Sequence, residues 1–265
     1  MNTILTVENI YYSADKGDLF SHAGEEKIIL KNINFKLEKG SILGIAGESG
    51  SGKTTLAKII AGVIKPTSGR IEFSKELKME KTRAGCVQIL FQNNGEILNP
   101  LREIEKMIDE ALLIANNNHK DIISERESIF NSVGFPEELR KKKGYQLSGG
   151  EQQRAALARL LAVKPEVLIL DEPFSAQDPE SQLNLLNLFK RINEEMGVTL
   201  ICIAHNLHIL NKLCKNIIIM YNGEIVESGK TDEIFSSPQH SYTKFLLKAG
   251  DYNLSAGEIL AKSFS

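Results

Sequence analysis

The octapeptide Gly47-Glu48-Ser49-Gly50-Ser51-Gly52-Lys53-Thr54 constrains the fold of this chain more than any other stretch, because it has the complete spacing of a phosphate-binding loop. The apolar residues 41–46 before it predict a buried strand, and residues 55–61, which stop at Gly62, predict a helix. A chance glycine-rich turn is the alternative. The order of strand, loop and helix favours a loop that cradles a nucleoside triphosphate.

The residue types in this loop suit the chemistry of a triphosphate. Glycines allow consecutive backbone N–H groups to turn inward, and the helix that begins here adds the positive end of its dipole. We expect the Lys53 ammonium to reach the β- and γ-phosphates and the Thr54 hydroxyl to bind Mg²⁺.

The composition is that of a globular chain. Its 265 residues are 42% hydrophobic, enough for a large core in one domain with a subdomain or in two modest domains. The formal net charge of −2 argues against a nucleic-acid partner. Apolar runs stay well short of the roughly 18 residues of a membrane span, and the first residues lack a signal-peptide layout, so we expect a cytosolic chain. Cys86, Cys202 and Cys214 lack C-x-x-C spacing, which favours buried, reduced thiols.

The hydrophobic pattern indicates an α/β fold. Alternation near the start of the chain predicts antiparallel strands, and helical periodicity from residue 101 to about 163 predicts a helical subdomain inserted in the sheet. Strands are predicted at residues 4–12, 27–37, 41–46, 70–73, 86–91, 167–170, 198–204 and 216–220, helices at 55–61, 104–115, 122–133, 152–163 and 180–196, and a hairpin at Asn222-Gly223.

Several apolar strands are followed by polar residues, namely Gln92, Asp171, Glu172 and His205. Because ligands bind at the carboxyl ends of strands in open α/β sheets, we expect these residues to converge on the phosphate loop. Asp171 can hold Mg²⁺, Glu172 can orient or deprotonate the attacking water, His205 can bond the γ-phosphate, and Gln92 can contact Mg²⁺ or the water. Each of these residues has an alternative interpretation when it is taken alone. Asp171 and Glu172 can be a helix-start cluster before Pro173, His205 a structural histidine, and Gln92 a loop glutamine.

A second glycine-rich stretch, Ser148-Gly149-Gly150-Glu151, has two compatible interpretations. Serine followed three residues later by glutamate predicts a capping box that opens an amphipathic helix. A glycine-rich helix start is also an anion site, which predicts a second phosphate contact.

These stretches together resemble, over nearly the whole chain, an ABC-transporter ATP-binding subunit. The resemblance implies a P-loop NTPase (RecA-like) α/β fold, with a mixed sheet, an N-terminal antiparallel β part and an inserted α-helical subdomain. It divides the chain into a nucleotide-binding core (residues 1–100 and 164–235), a helical signature subdomain (101–163) and a C-terminal tail (236–265). The implied motifs are Walker A (47–54), the Q-loop (Gln92), the signature (147–152), Walker B (167–171), the catalytic carboxylate (Glu172), the D-loop (175–178) and the switch histidine (His205).

The resemblance also implies an ATPase that uses ATP and Mg²⁺. The implied catalytic residues are Glu172, His205, Lys53 and Gln92, and the magnesium ligands are Thr54, Gln92 and Asp171. The implied nucleotide contacts are Gly47, Glu48, Ser49, Gly50, Ser51, Gly52, Lys53, Thr54, Thr55 and Tyr12, with Ser148, Gly149, Gly150 and Glu151. Two subunits would sandwich two ATP molecules head to tail, with Ser148 and Gly150 on the γ-phosphate held by the partner.

Finer features are similar to the oligopeptide, dipeptide and nickel importer branch, especially its second ATPase subunit. They are Phe91-Gln92 followed by Leu98-Asn99-Pro100, and residues 16–20, 220–227 and 238–243. This implies uptake of peptides or of a nickel or other metal chelate. The expected partners are a second ATPase subunit, different or identical, membrane permease subunits and indirectly an extracellular solute-binding protein, at the cytoplasmic face of the membrane. An exporter subunit and a soluble non-transport ABC ATPase are the alternatives.

The chain departs from the pattern of this family at several positions. Ala14 stands where an adenine-stacking aromatic residue is expected, so Tyr12 is the displaced candidate. Glu151 replaces the signature glutamine, Gln177 a usual D-loop leucine, and Asn206 an aspartate. None of these changes removes a phosphate or Mg²⁺ ligand of the implied site. Gln177 touches the expected dimer interface, which suits a heterodimer as well as a homodimer.

Overall fold

The computed structural model describes residues 2–14, 27–74, 83–91, 97–115, 121–175 and 177–251. The chain divides into two compact units, with residues 1–77 and 200–265 in unit 1 and residues 78–199 in unit 2. The division into core, helical subdomain and tail at residues 101, 164 and 236 stays a prediction. Within the described ranges, every helix is too short or too polar to cross a lipid bilayer.

Unit 1 begins with the predicted antiparallel β part. β1 (Thr3–Ala14) lies between β2 (Lys27–Glu38) and β4 (Ser68–Phe73) and is antiparallel to both. The alternation that predicts these strands buries one side of each, with Leu5, Val7 and Ile10 of β1 fully enclosed. The elements of unit 1 up to this point are β1 (Thr3–Ala14), β2 (Lys27–Glu38), β3 (Ile42–Ala46), α1 (Lys53–Ile60) and β4 (Ser68–Phe73).

The parallel strands of unit 1 are centred on β3. β7 (Thr199–Ile203), which belongs to unit 1 from Leu200 onward, and β8 (Asn216–Tyr221) flank β3 in parallel. β9 (Glu224–Lys230) turns back along β8, and Asn222 and Gly223 both have positive φ, so the predicted hairpin is confirmed. The helices of this part are α7 (Leu207–Leu213), α8 (Thr231–Ser236) and α9 (Ser241–Asp251).

Unit 2 is mainly helical around one parallel strand pair. β5 and β6 pair in parallel, and all residues of β6 are buried, as expected for a strand covered on both faces. Helices α3, α4 and α5 pack on one another. The elements of unit 2 are α2 (Arg83–Cys86), β5 (Val87–Leu90), α3 (Ile104–Ala115), α4 (Ile122–Val133), α5 (Gly149–Ala162), β6 (Val167–Asp171) and α6 (Pro179–Met196), with short 3₁₀ turns at Glu137–Leu139 and Gly144–Gln146.

The predicted elements are confirmed in type, with one boundary error of note. α3 and α4 have the predicted limits, while the strand predicted at residues 86–91 is confined to Val87–Leu90. Cys86 instead ends the short helix α2. The hydrophobic pattern did not predict this helix, because a single helical turn has too few residues to show a period. The cysteines are free and buried as predicted, and burial raises the pKa of the Cys214 thiol.

Candidate nucleotide site

The phosphate loop connects β3 to α1 in unit 1, and its own surroundings require glycine at two positions. A Cβ at Gly47, where φ is 153°, would lie 2.2 Å from the carbonyl oxygen of Met220. A Cβ at Gly52, where φ is 100°, would lie 2.6 Å from Cδ2 of Leu30. The loop backbone therefore sits closer to its neighbours than any side chain would allow.

Lys53 is held inside this loop. Its side chain is 6% exposed, and Nζ donates to the carbonyl oxygens of Gly47 and Glu48, each at 2.8 Å. A weaker contact of 3.5 Å reaches Oγ of the buried Ser51. A buried ammonium held by carbonyl dipoles places a positive charge inside the loop, as a site for a polyphosphate requires.

The remaining loop residues differ in exposure. Ser49, Gly50 and Thr54 are exposed, and Thr55 is half-buried in the first turn of α1. Tyr12, the candidate for adenine stacking, lies on β1 opposite Leu30, the residue of β2 that packs at the Gly52 position. The assignment of the adenine contact to Tyr12 stays a prediction.

His205 follows β7 at the same end of the parallel strands of unit 1 at which the phosphate loop leaves β3. Its side chain is exposed. Asn206 begins α7, where its Oδ1 accepts the N–H groups of His208 at 2.9 Å and Ile209 at 3.4 Å. Asparagine at this position thus does the capping that the aspartate of the importer branch would do, so this departure leaves the local fold intact.

The two predicted carboxylates lie in unit 2 at the end of β6. Asp171 is the last residue of the strand and is 5% exposed. Glu172 has a positive φ of 53°, a conformation that costs a non-glycine residue roughly 1 to 2 kcal/mol. The Ser175 hydroxyl donates to Oε2 of Glu172 at 3.2 Å. Strained backbone is concentrated at functional sites, which supports the choice of Glu172 as a reactive group.

The capping box predicted at Ser148 and Glu151 is confirmed at the start of α5. The Ser148 Oγ accepts the Glu151 N–H at 3.4 Å, and Glu151 Oε2 accepts the Ser148 N–H at 2.7 Å. The bond from the Ser148 backbone is the main reason that the pKa of Glu151 lies below its ordinary value. Both glycines of the stretch are exposed, and within the described part of the chain a Cβ at Gly149 or Gly150 would meet no atom within 4 Å.

Three residues contact segments of the candidate site in ways that the sequence did not predict. Gln153, which is buried, donates from Nε2 to the carbonyl oxygen of Pro173 at 3.0 Å and so ties α5 to the segment after Glu172. Ser175 bonds Glu172, and the Tyr242 hydroxyl accepts the Glu48 N–H of the phosphate loop at 2.8 Å. Sequence signals existed for Tyr242, in the C-terminal stretch singled out above, and for Ser175, in the predicted D-loop, but neither contact was predicted.

Parts of the predicted site lie outside the described residues. Gln92 and the insertion at residues 16–20 are among them, as is Ala176 of the D-loop. The predicted convergence of Gln92, Asp171, Glu172 and His205 on the phosphate loop therefore stays a prediction. Unit 1 carries the phosphate loop, Tyr12 and His205, and unit 2 carries the carboxylates and the signature stretch.

Comparison with known proteins gives a consistent family. A family model described as ABC transporter matches residues 30–175. A dipeptide transport ATP-binding protein of Haemophilus influenzae is 35% identical over 249 residues, which cover 90% of this chain and 75% of the relative. An oligopeptide transport ATP-binding protein of Lactococcus lactis is 33% identical over 262 residues, 94% of this chain and 81% of the relative.

A solved structure has a similar fold. It is the dimeric, post-hydrolysis state of the ATP-binding cassette MJ0796 bound to ADP and Pi. The TM-score is 0.71 at 26% identity, and the match covers 86% of this chain and 99% of that chain. The predicted α/β fold of a P-loop NTPase is confirmed by this match together with the elements described above.

Proposed function

Because the chain belongs to the ABC transporter family and is an ATPase of that family, we propose that it is the ATP-hydrolysing subunit of an importer of short peptides. The observation that carries this proposal is the similarity, over most of the chain, to dipeptide and oligopeptide transport ATP-binding proteins. Both relatives favour peptides over the nickel or metal-chelate cargo that the sequence left open.

Residues 47–54 would bind the triphosphate of ATP. The loop fits this substrate because it holds a buried ammonium on neutral carbonyl groups, which Lys53 can exchange for phosphate oxygens. The N-terminus of α1 adds its dipole toward the same anion. Tyr12 on β1 is the proposed adenine contact.

Thr54, Asp171 and Gln92 would hold Mg²⁺. Hydroxyl, carboxylate and amide oxygens are the donors that this hard cation prefers, and Asp171 is a buried carboxylate directly at a strand end. When bound, the ion would offset the charge on the phosphate oxygens.

Glu172 would orient or deprotonate the water that attacks the γ-phosphate. The Ser175 hydroxyl and the left-handed backbone both restrict the direction of its carboxylate. His205 would donate a hydrogen bond to the γ-phosphate, and Lys53 would stabilise the charge that develops on it. Positioning and charge stabilisation thus supply most of the rate enhancement.

A second ATPase subunit would complete each site. Ser148 and Gly150 would contact the γ-phosphate held by the partner, in a head-to-tail dimer. The open space at Gly149 and Gly150 supports this, because the fold of the described chain does not itself explain two glycines there. The similar MJ0796 cassette is dimeric. We propose a heterodimer, with a homodimer as the alternative; Gln177 at the expected interface is compatible with both.

A membrane permease would bind the helical part of unit 2 at the cytoplasmic face of the membrane, and an extracellular solute-binding protein would deliver the peptide. Leu101 and Tyr145 expose 71% and 62% of their surface. Their backbone segments are adjacent, because the Tyr145 N–H donates to the carbonyl oxygen of Pro100 at 3.5 Å. An exposed apolar pair beside the start of α3 suits a coupling segment of the permease.

Replacement of Glu172 tests the proposal. We expect Glu172→Gln to bind ATP with near wild-type affinity, to lose turnover by about a hundredfold or more, and to abolish uptake of a labelled dipeptide in cells that depend on this subunit. Glu180→Gln, an exposed residue in the first turn of α6, is the matched control.

Two outcomes would contradict parts of the proposal. Wild-type ATP turnover by Glu172→Gln would remove Glu172 from the reaction. The importer would be replaced by an exporter if the purified membrane complex contained a permease but no solute-binding protein, and if it exported the labelled peptide.

A further inference from the structure

The connection between β9 and α9 is built around Glu227. Its carboxylate accepts the backbone N–H groups of Gln239 at 2.8 Å and His240 at 3.1 Å. Burial acts to raise the pKa of Glu227, but the hydrogen bonds from the backbone outweigh it and lower the pKa. His240 Nδ1 in turn accepts the Tyr242 N–H at 3.2 Å. The start of α9 is therefore fixed to the strand before it.

Tyr242, in the first turn of α9, is directed at the phosphate loop. Its ring stacks on Tyr221 at the end of β8, with the ring centroids 4.2 Å apart and the planes at 29°. The residue is 8% exposed, and its hydroxyl accepts the Glu48 N–H at 2.8 Å. Burial raises the pKa of this hydroxyl to about 12, so it stays neutral at any physiological pH.

One peptide group joins this contact to Lys53. The N–H that bonds Tyr242 belongs to Glu48, and the carbonyl of the same peptide group belongs to Gly47, which accepts from Lys53 Nζ at 2.8 Å. Because a peptide group is planar, a hydrogen bond at its N–H also fixes the direction of its carbonyl. Gly47 has no Cβ that would restrict rotation of this group, so the bond to Tyr242 adds a restraint that the residue itself lacks.

We infer that Tyr242 is a positioning residue of the ATPase, which holds the Gly47–Glu48 peptide group and, through it, the Lys53 ammonium ready for the triphosphate. This inference rests on the proposed role of residues 47–54 in binding ATP. It also gives the C-terminal stretch at residues 238–243 a task in the nucleotide site of its own subunit. Without the hydroxyl, the nucleotide itself would have to order the loop on binding.

Tyr242→Phe tests the inference, because it removes only the hydroxyl and keeps the stack on Tyr221. We expect the Kd and the KM for MgATP to rise about three- to tenfold, with kcat changed by less than about twofold. Tyr221→Phe, which removes a hydroxyl from the other ring of the same stack, is the matched control and should bind MgATP as the wild type does. Measurements well below the thermal midpoint separate this effect from a loss of stability.

Lys53→Ala, measured in parallel, separates this inference from the proposed site. Loss of MgATP binding by Lys53→Ala together with wild-type Kd and KM for Tyr242→Phe would overturn the role of Tyr242 alone. Wild-type binding by Lys53→Ala would overturn the assignment of the phosphate loop. An equal rise of KM in Tyr221→Phe and Tyr242→Phe would show that the bond from Glu48 to the Tyr242 hydroxyl has no special effect on the loop, and would overturn the inference.

Discussion

The phosphate loop and the signature stretch are both rich in glycine, yet the fold uses their glycines differently. At Gly47 and Gly52 an added Cβ would collide with Met220 and Leu30, so the surrounding chain requires glycine. At Gly149 and Gly150 an added Cβ would meet nothing within 4 Å in the described chain. The first stretch is shaped by contacts with its own chain, whereas the second is a helix start that the described chain leaves open.

This difference suggests how the work is divided between two subunits. The phosphate loop contains its own cation, held by its own carbonyl groups. The signature stretch contains a capped helix end with exposed backbone groups. A single chain should therefore bind ATP by itself and need a partner for turnover.

The largest expected effect comes from Lys53, since its loss removes the cation of the phosphate loop. Lys53→Ala should lower ATP turnover by about a hundredfold to a thousandfold and weaken MgATP binding by the single chain about ten- to a hundredfold. Equilibrium binding and steady-state hydrolysis measure the two effects. Lys65→Ala, an exposed lysine of unit 1, is the control. Unchanged MgATP binding in Lys53→Ala would show that the phosphate loop does not bind ATP through its own cation, and the contrast with the signature stretch would fail.

A pair of glycine replacements tests the comparison directly. Gly52→Ala should lower the free energy of unfolding by about 2 to 4 kcal/mol, because the methyl group collides with Leu30 at a left-handed φ. Gly150→Ala should leave it unchanged or raise it by up to about 1 kcal/mol, because alanine is the better helix former at an open position of α5. The second variant should still bind ATP but lose turnover by about a hundredfold, since the methyl group lies where the nucleotide of the partner would sit. Denaturant unfolding and hydrolysis assays give both numbers.

The two replacements can also contradict this interpretation. Full turnover by Gly150→Ala would show that the open space is not a nucleotide surface. A loss of stability in Gly150→Ala equal to that of Gly52→Ala would show that the two stretches are alike in their packing.

The smallest expected effect concerns the charge of the capping box. Because the pKa of Glu151 is lowered in the folded chain, its contribution to stability is complete above the unfolded pKa and is lost as the pH falls through the folded value. Glu151→Gln keeps a capping side chain but removes this charge. The variant should therefore lose less stability than the wild type on acidification below about pH 4.3, by about 0.5 kcal/mol or less because the group is exposed.

Urea unfolding at neutral and acidic pH measures this difference. Glu195→Gln, an exposed glutamate near the end of α6, is the control. An identical pH dependence in Glu151→Gln and the wild type would show that the charge adds nothing to the cap.

Local patterns predicted much of the fold. The limits of α3 and α4, the Asn222-Gly223 hairpin and the capping box all follow from residues within a few positions of one another. The α2 turn was missed because four residues show no period.

Contacts between distant residues could not be predicted in this way. Glu48 and Tyr242 are 194 positions apart, and no spacing rule connects them. The bond from Ser175 to Glu172 is local, but it depends on the positive φ of Glu172, which a glutamate gives no reason to expect. Residue types were thus enough to choose candidate site residues, and the groups that orient their side chains could not be chosen in this way.

The backbone of Glu172 has a consequence for protein engineering. Glycine or asparagine tolerates a left-handed conformation better than glutamate does, so either residue would relieve about 1 kcal/mol of strain at this position. A screen of variants for heat resistance alone would therefore tend to select Glu172→Gly or Glu172→Asn. Any stabilised form of the chain obtained without an activity filter should be sequenced at this codon before it is used as a catalyst.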